Sequence, residues 1–154
     1  MYSLNGHGEM LADRIRTGAY VDAIRKSVKP GSVVLDIGTG TGLFALIACQ
    51  AGARRVYAIE PDAVIDVARQ MASANALGDS IEFIQALSTQ VTLPEPVDVI
   101  VSDLRGVLPF FQGHIPAISD ARRRFLKPGG VQIPQKDTLW LSCIEAPELH
   151  ESIT

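Results

Sequence analysis

The sequence has few cysteines and no long apolar run. Its two cysteines, Cys49 and Cys143, are too few for a disulfide framework, and both lie inside apolar segments. The longest uncharged hydrophobic run, Leu43 to Cys49, is far below membrane-spanning length, and residues 1–9 lack the apolar stretch of a secretion signal. We therefore expect neither a membrane partner nor secretion, and we place the chain in the cytoplasm.

An excess of positive charge is also missing. The chain has 14 Lys and Arg against 17 Asp and Glu, for a formal net charge of −3. Attraction to nucleic acid requires a clustered positive excess, so we expect no nucleic-acid partner. The three histidines, His7, His114 and His150, have no mutual spacing and no Cys or Asp neighbours that indicate a metal site. We expect no bound metal.

Apolar residues are plentiful, and the period at which they recur changes along the chain. With 154 residues, 47% of them hydrophobic, the chain is long enough for one ordinary domain and too short for two. An i+4 apolar spacing predicts a helix over residues 9–28, and a β-branched run predicts a buried strand over 33–37. The same reasoning predicts helices over 43–51, 62–76 and 112–126, strands over 55–59, 81–84 and 97–101, a turn over 127–130, and extended chain from 131 into 138–144.

Strands that alternate with helices of this length indicate βαβ units. The predicted fold class is therefore α/β, a Rossmann-like, doubly wound and mostly parallel sheet with helices on both faces, preceded by an N-terminal helix. In such sheets, ligands bind at the carboxyl ends of the strands. The residues that follow each strand are therefore the first candidates for a functional site.

A glycine-rich turn follows the first predicted strand. The residues Gly38, Gly40 and Gly42 allow a tight turn and close ligand approach before a helix begins. The dinucleotide fingerprint requires glycine or alanine where this chain has Leu43, which argues against NAD and favours another adenosine ligand. The second strand ends at Glu60, where a carboxylate can accept hydrogen bonds from both hydroxyls of a ribose.

Two motifs give the sequence a family resemblance. Val34–Gly42 and Val56–Glu60 resemble the class I S-adenosylmethionine-dependent methyltransferases, and most of the chain resembles the catalytic domain of protein arginine methyltransferases. The more specific part is N-terminal. It comprises His7 to Leu11, Asp13, Arg16, Thr17 and Tyr20, and further likeness runs over residues 93–102 and 102–111.

The resemblance implies that S-adenosyl-L-methionine is the cofactor. Arg16 matches the arginine that holds its carboxylate, and Glu60 matches the acid that takes its ribose. Asp36 would order the glycine turn and face the amino group, while Thr89, beside Ser88, stands where the family has an acid for the adenine. The predicted cofactor-binding residues are His7, Arg16, Asp36, Gly38, Thr39, Gly40, Gly42, Leu43, Glu60, Pro61, Ser88 and Thr89.

The substrate loop departs from the family pattern. Arginine methylation needs two carboxylates to grip the guanidinium, and the matching positions here are Asp103, one methylene shorter than the family's glutamate, and the neutral Gln112. These two are the predicted catalytic residues. We expect Arg105 to bring a positive charge towards the substrate position, which favours a small-molecule or non-arginine protein acceptor over a protein arginine. Residues 122–124 and Lys127 are predicted to form a solvated helix end.

The resemblance divides the chain into three segments. Residues 1–30 form a helical segment capping the cofactor, 31–136 the Rossmann-like cofactor-binding domain, and 137–154 an extended strand that leads towards a substrate domain. That family continues into a β-barrel, so we expect a homodimer mate or a further domain to cover Thr138–Ile144. The alternatives are a non-catalytic S-adenosylmethionine-binding or protein-interaction module, and a nicotinamide oxidoreductase.

Overall fold

A computed structural model describes residues 4–106, 113–143 and 145. The helices are α1 (Leu4–Ala12), α2 (Arg14–Ser27), α3 (Leu43–Gln50), α4 (Ile65–Ala74) and α5 (His114–Phe125). The strands are β1 (Val33–Ile37), β2 (Arg55–Ile59), β3 (Ile81–Ile84), β4 (Val97–Ser102) and β5 (Leu126–Ile133). Two one-turn 3-10 helices, Gly78–Ser80 and Ser88–Gln90, flank β3. Within the described ranges, no helix has both the length and the apolar character needed to cross a membrane.

The five strands form one parallel sheet in the order β3-β2-β1-β4-β5. β2 and β3 lie on one side of β1, and β4 and β5 lie on the other, so the strand order switches direction at β1. At such a switch point the loops that leave adjacent strands turn to opposite faces and leave a crevice at the carboxyl ends. The predicted α/β class, with a mostly parallel sheet, is confirmed.

Apolar clusters lie on both faces of the sheet. One contains Ile24 of α2 and Ala45 of α3, packed on Val34 and Val101. The other contains Phe125 of α5, packed on the opposite faces of β1 and β4. β1 is buried along its whole length, and four of its five residues are β-branched or aliphatic, with Asp36 as the one polar exception. The central strand is therefore fixed from both sides, and the loop that follows it starts from a rigid position.

The N-terminal helix prediction is wrong in one respect, because residues 9–28 form parts of two helices. Asp13 breaks the run with an extended backbone, φ −69° and ψ 93°, and its carboxylate accepts hydrogen bonds from the amides of Ile15 and Arg16. An acidic N-cap of this kind starts a new helix where the apolar spacing alone predicts continuity. The break leaves α1 free to lie over the carboxyl end of the sheet.

The turn predicted over residues 127–130 is a bulge inside β5. Val97 pairs with Leu126 and Val99 pairs with Val131, so β5 carries more residues than β4 between these two pairs. Gly129 has φ +78°, and Lys127 donates from Nζ to Asp98 Oδ1 at 2.7 Å. The Pro-Gly-Gly sequence does interrupt the strand, but only locally, because the chain pairs with β4 again after the bulge.

The strand expected over Thr138–Ile144 is not formed in its described part, 138–143. The chain leaves the sheet after Ile133, and Ile144 lies outside the described residues. Leu139, Trp140 and Leu141 are 58%, 90% and 102% exposed. A strand needs a hydrogen-bonding neighbour, and β5 already lies at the edge of the sheet with the chain moving away from it.

Candidate functional site

One cavity of about 420 Å³ lies at the carboxyl ends of β1, β2 and β4. Its wall includes most of the predicted site residues, namely His7, Arg16, Gly38, Thr39, Gly40, Leu43, Glu60, Pro61, Ser88, Thr89 and Asp103. Asp36 and Gly42 are not on the wall, and Gln112 lies outside the described residues. The crevice predicted from the strand order and the residues predicted from the motifs therefore coincide in one place.

The glycine turn wraps the end of β2. The amides of Gly38 and Thr39 both donate to the Ile59 carbonyl, at 2.8 and 3.0 Å. Gly38 has φ +72°, and a Cβ built there collides with the Leu104 side chain. Gly40 has φ +53°, and a Cβ built there would lie 3.1 Å from the ring of His7. The turn is thus closed in on both sides, and only glycine satisfies both its backbone and its neighbours.

Glu60 is buried, at 8% exposure, and its carboxylate is tied to the backbone through both oxygens. Oε2 accepts from the amide of Gly40 at 3.0 Å, and Oε1 accepts from the amide of Asp62 at 3.1 Å. A carboxylate has about four lone-pair sites, so each oxygen keeps the capacity for one further donor. The group is held firmly enough to recognise a pair of neighbouring hydroxyls.

Asp36 lies beneath the turn and does not reach the cavity wall. It is 1% exposed, and Oδ2 accepts a hydrogen bond from Thr39 Oγ1 at 2.6 Å. Burial raises the pKa of Asp36 to about 7, an effect that the Thr39 hydroxyl and the Ala45 amide partly offset. The loop-ordering role expected for Asp36 agrees with these contacts. Its side chain does not line the cavity, and the predicted contact with an amino group stays a prediction.

We expect Asp36→Asn to remove a pH dependence of folding. The folded carboxyl keeps its proton up to about pH 7, while the unfolded one loses it near 3.8. The contribution of Asp36 to the free energy of unfolding is therefore full below about pH 4 and is lost as the pH rises to about 7. The free energy of unfolding of the wild type, measured in urea, should fall across this window relative to Asp36→Asn. The exposed Asp66→Asn serves as control, and a difference that stays constant with pH would contradict the expectation.

Gly42 allows α3 and α4 to pack closely against each other. It has φ +85° at the start of α3, and a Cβ there would lie 2.8 Å from the Cβ of Ala68 in α4. The two helices can approach only because both positions are small. Gly42 therefore supports the glycine turn through its packing on Ala68, and its predicted contact with the cofactor stays a prediction.

Arg16 and Asp103, predicted to serve two different partners, form an ion pair with each other. Their side chains are 26% and 16% exposed. Arg16 also donates from Nη1 to the Met10 carbonyl at 2.9 Å, and its guanidinium lies about 6 Å from the ring of Phe44. Met10 of α1 and Phe44 of α3 therefore hold the Arg16 guanidinium at the cavity wall. In this structure the guanidinium is paired with the Asp103 carboxylate.

Tyr20 continues this network towards a second cavity. Its hydroxyl lies 3.1 Å from Asp103 Oδ1 and 3.2 Å from the Ser102 carbonyl, and it accepts from Arg105 Nη2 at 2.8 Å. Arg105 is in turn paired with Asp137. Arg105 is thus paired, and it lines a separate groove of about 400 Å³ between α2 and the end of β5. Its position relative to a substrate stays a prediction.

Several cavity residues were missed by the sequence analysis. Met10 and Phe44 hold Arg16, Leu104 covers Gly38, and Pro116 and Ala117 of α5 close the wall. The side chains of Leu104, Pro116 and Ala117 carry no recognisable chemical signal. The stacked rings of Tyr20 and Phe44, 4.7 Å apart, join residues of two helices that no local pattern connects.

The family model described as ribosomal protein L11 methyltransferase (PrmA) matches residues 16–133. This range contains all five strands and every cavity element except α1. The match therefore covers both the fold and most of the cavity.

Curated and solved relatives agree on one class of enzyme. The chain is 42% identical over 140 residues to protein arginine N-methyltransferase PRMT10 of Oryza sativa subsp. japonica, covering 90% of this chain and 37% of the relative. The crystal structure of Arabidopsis thaliana protein arginine methyltransferase 10 superposes with a TM-score of 0.81 and 39% identity, covering 86% of this chain and 38% of that one.

A third relative is the Trypanosoma brucei PRMT1 enzyme-prozyme heterotetrameric complex with AdoHcy. The TM-score is 0.78 and the identity 33%, and the match covers 82% of this chain and 40% of that one. The chain thus spans about two fifths of the length of these relatives. Each of these matches covers more than four fifths of this chain.

Proposed function

Because this chain belongs to the class I methyltransferase family that the ribosomal protein L11 methyltransferase model describes, we propose that it binds S-adenosyl-L-methionine and transfers a methyl group from it. The acceptor atom in this proposal is a nitrogen or oxygen nucleophile. The observation that carries the proposal is the buried Glu60 carboxylate, anchored to the glycine turn on the same cavity wall as Arg16.

The cavity provides the chemical groups that the cofactor requires. The Glu60 carboxylate suits the two ribose hydroxyls, and the Arg16 guanidinium suits a carboxylate in a bidentate arrangement. Gly40 lets the chain pass close to the ligand, with His7 packed above it. An acid and a guanidinium on the wall of the same cavity match a zwitterionic nucleoside better than a neutral ligand.

Bound S-adenosyl-L-methionine supplies a methyl group on a positively charged sulfur, which is an activated leaving group. The protein then has to hold the acceptor about 3–3.5 Å from the methyl carbon and in line with the carbon–sulfur bond. Asp103 is an acidic side chain on the cavity wall, and the Tyr20 hydroxyl donates to its Oδ1. We assign Asp103 the role of orienting the acceptor and accepting its hydrogen bond or proton.

Arg16 would have to change partner when the cofactor binds. Its guanidinium pairs with Asp103 in this structure, and the cofactor carboxylate would compete for it. Release of Asp103 would then leave a free carboxylate facing the acceptor. Cofactor binding would in this way free the Asp103 carboxylate for the acceptor, because both depend on the Arg16–Asp103 ion pair.

For the acceptor we favour a small molecule or a non-arginine protein site over a protein arginine. A clamp for a guanidinium uses two carboxylates, whereas this loop has Asp103 and Gln112, and a cationic ligand loses much of its binding energy when one charged partner is removed. Leu139, Trp140 and Leu141 are exposed, and we propose that a second copy or a further domain covers them and completes the acceptor site.

The acceptor class can be tested with labelled S-adenosyl-L-methionine. We expect little or no transfer to arginine-rich peptides and clear transfer to components of a cell extract, abolished in Asp103→Asn. The matched control is Asp79→Asn, at an exposed carboxylate away from the cavity. Rapid methylation of arginine-rich peptides that depends on Asp103 would reverse our order of acceptors.

A second candidate is a non-catalytic module that binds S-adenosyl-L-methionine or a protein. The observation that favours it is the Arg16–Asp103 pair, which neutralises the acid proposed for catalysis. Binding of the cofactor without transfer to any extract component would support this alternative.

A further inference from the structure

A turn held from outside forms one end of the cavity. Leu87, Ser88 and Thr89 line it, and the last two belong to the 3-10 helix Ser88–Gln90. Inside the turn, the amide of Gln90 donates to the Leu87 carbonyl at 2.9 Å, and that of Val91 reaches the Ser88 carbonyl at 3.4 Å. A single turn with so few internal hydrogen bonds has little stability of its own. Its shape must therefore be fixed by a neighbouring element.

That neighbour is Arg124, in the last turn of α5. Nη1 donates to the Val91 carbonyl at 2.7 Å and Nη2 donates to the Ser88 carbonyl at 2.8 Å. The two bonds clamp the carbonyls at the beginning and just beyond the end of the 3-10 helix. Arg124 was predicted to belong to a solvated helix end, and this prediction is wrong, since the side chain is only 29% exposed.

The guanidinium is itself held in place. Asp120, one helical turn earlier, accepts from Arg124 Nε at 2.9 Å, and the Phe125 ring lies 4.3 Å from the guanidinium carbon. The neighbouring Arg123 also contacts Asp120, at 3.3 Å, but its side chain is 79% exposed. Of these two arginines, Arg124 is the one that hydrogen-bonds the carbonyls of the turn.

The location of this turn indicates which part of a ligand it serves. Under the proposed function, Glu60 holds the ribose and Arg16 holds the carboxylate of the methionine portion. The nucleobase must then extend from the ribose away from Arg16, and Ser88 and Thr89 line the cavity on the β3 side of Glu60. We propose that Arg124 is a positioning residue that holds the turn at residues 88–90 in the shape that the nucleobase contacts.

This assignment rests on the proposed function and can be tested separately from it. Arg124→Lys keeps the positive charge but replaces a planar two-armed donor with a single ammonium, which cannot clamp both carbonyls. Arg123→Lys is the matched control, one residue earlier in the same helix turn. Binding is measured calorimetrically for S-adenosylhomocysteine and for adenosine, together with hydrogen exchange of the amides of residues 88–91.

We expect Arg124→Lys to weaken both ligands by the same factor, about tenfold, with one site per chain retained and faster exchange at 88–91. Equal loss for both is the signature, because adenosine carries the nucleobase but lacks the carboxylate that Arg16 would hold. Arg123→Lys should match the wild type. Should Arg124→Lys fail to fold, Asp120→Asn gives the second variant, with a loss of a few-fold shared by both ligands.

Unchanged affinity in Arg124→Lys, a loss confined to S-adenosylhomocysteine, or fewer competent sites at unchanged affinity would each overturn the assignment. The last result would mean that Arg124 serves only the stability of the fold. Failure of the wild type to bind either ligand would instead overturn the proposed function itself.

Discussion

Glu60→Gln should lower the affinity for S-adenosylhomocysteine by about a hundredfold or more. Both carboxylate oxygens accept backbone amides, from Gly40 and Asp62, and would accept the two ribose hydroxyls as well. Glutamine offers one oxygen and one NH₂ group, so one backbone amide would face a donor, and the hydroxyl on that side would have to accept a hydrogen bond where it donates one to Glu60. Hydrogen bonds to a charged group contribute about 1.5–3 kcal/mol each, and an unpaired buried donor adds a further penalty.

Isothermal titration calorimetry measures this effect directly, and thermal unfolding shows how much of it is due to loss of the turn. The matched control is Glu82→Gln, which makes the same chemical change at an exposed position of β3 outside the cavity. A loss of affinity smaller than about threefold, with the fold intact, would show that Glu60 does not contact the ligand.

Asp103→Asn should have the opposite effect and raise the affinity for S-adenosylhomocysteine by about tenfold. In this structure Arg16 is paired with Asp103, and the pair must open before Arg16 can bind a ligand carboxylate. Asparagine preserves the shape and the contact with the Tyr20 hydroxyl but removes the competing charge. Adenosine, which has no carboxylate, should bind the variant and the wild type equally.

Asp137→Asn is the control for the loss of one negative charge, since Asp137 pairs with Arg105 outside the cofactor cavity. Asp137→Asn should bind S-adenosylhomocysteine and adenosine with the same affinity as the wild type. If Asp103→Asn bound S-adenosylhomocysteine more weakly, Asp103 would itself contact the ligand, and the exchange of partners by Arg16 would be wrong.

The sheet was predictable because its strands carry their signal locally. β1, β2 and β3 have the bounds that their β-branched runs predict, and the glycine turn after β1 lies where the switch point requires. Glu60 was predictable as well, because an acidic residue directly after the β2 run can be recognised without knowledge of distant residues. These features depend on residue type and on spacing within short segments.

The errors involve contacts between distant parts of the chain. Arg124 was read as a solvated residue because its partners, Ser88 and Val91, precede it by more than thirty residues. The pairing of Arg105 with Asp137 was not predicted, because nothing in the local sequence reveals it. The break at Asp13 was visible in principle, since an acid before a helical run is a cap signal that the apolar spacing outweighed.

The most direct test of the proposed function is a calorimetric titration of the wild-type chain with S-adenosylhomocysteine, with NADH as the competing nucleotide. The arrangement of Glu60, the glycine turn and Arg16 predicts saturable binding at one site per chain, tighter than that of NADH. Absence of binding at millimolar S-adenosylhomocysteine, or tighter binding of NADH, would contradict the assignment of this cavity to S-adenosyl-L-methionine.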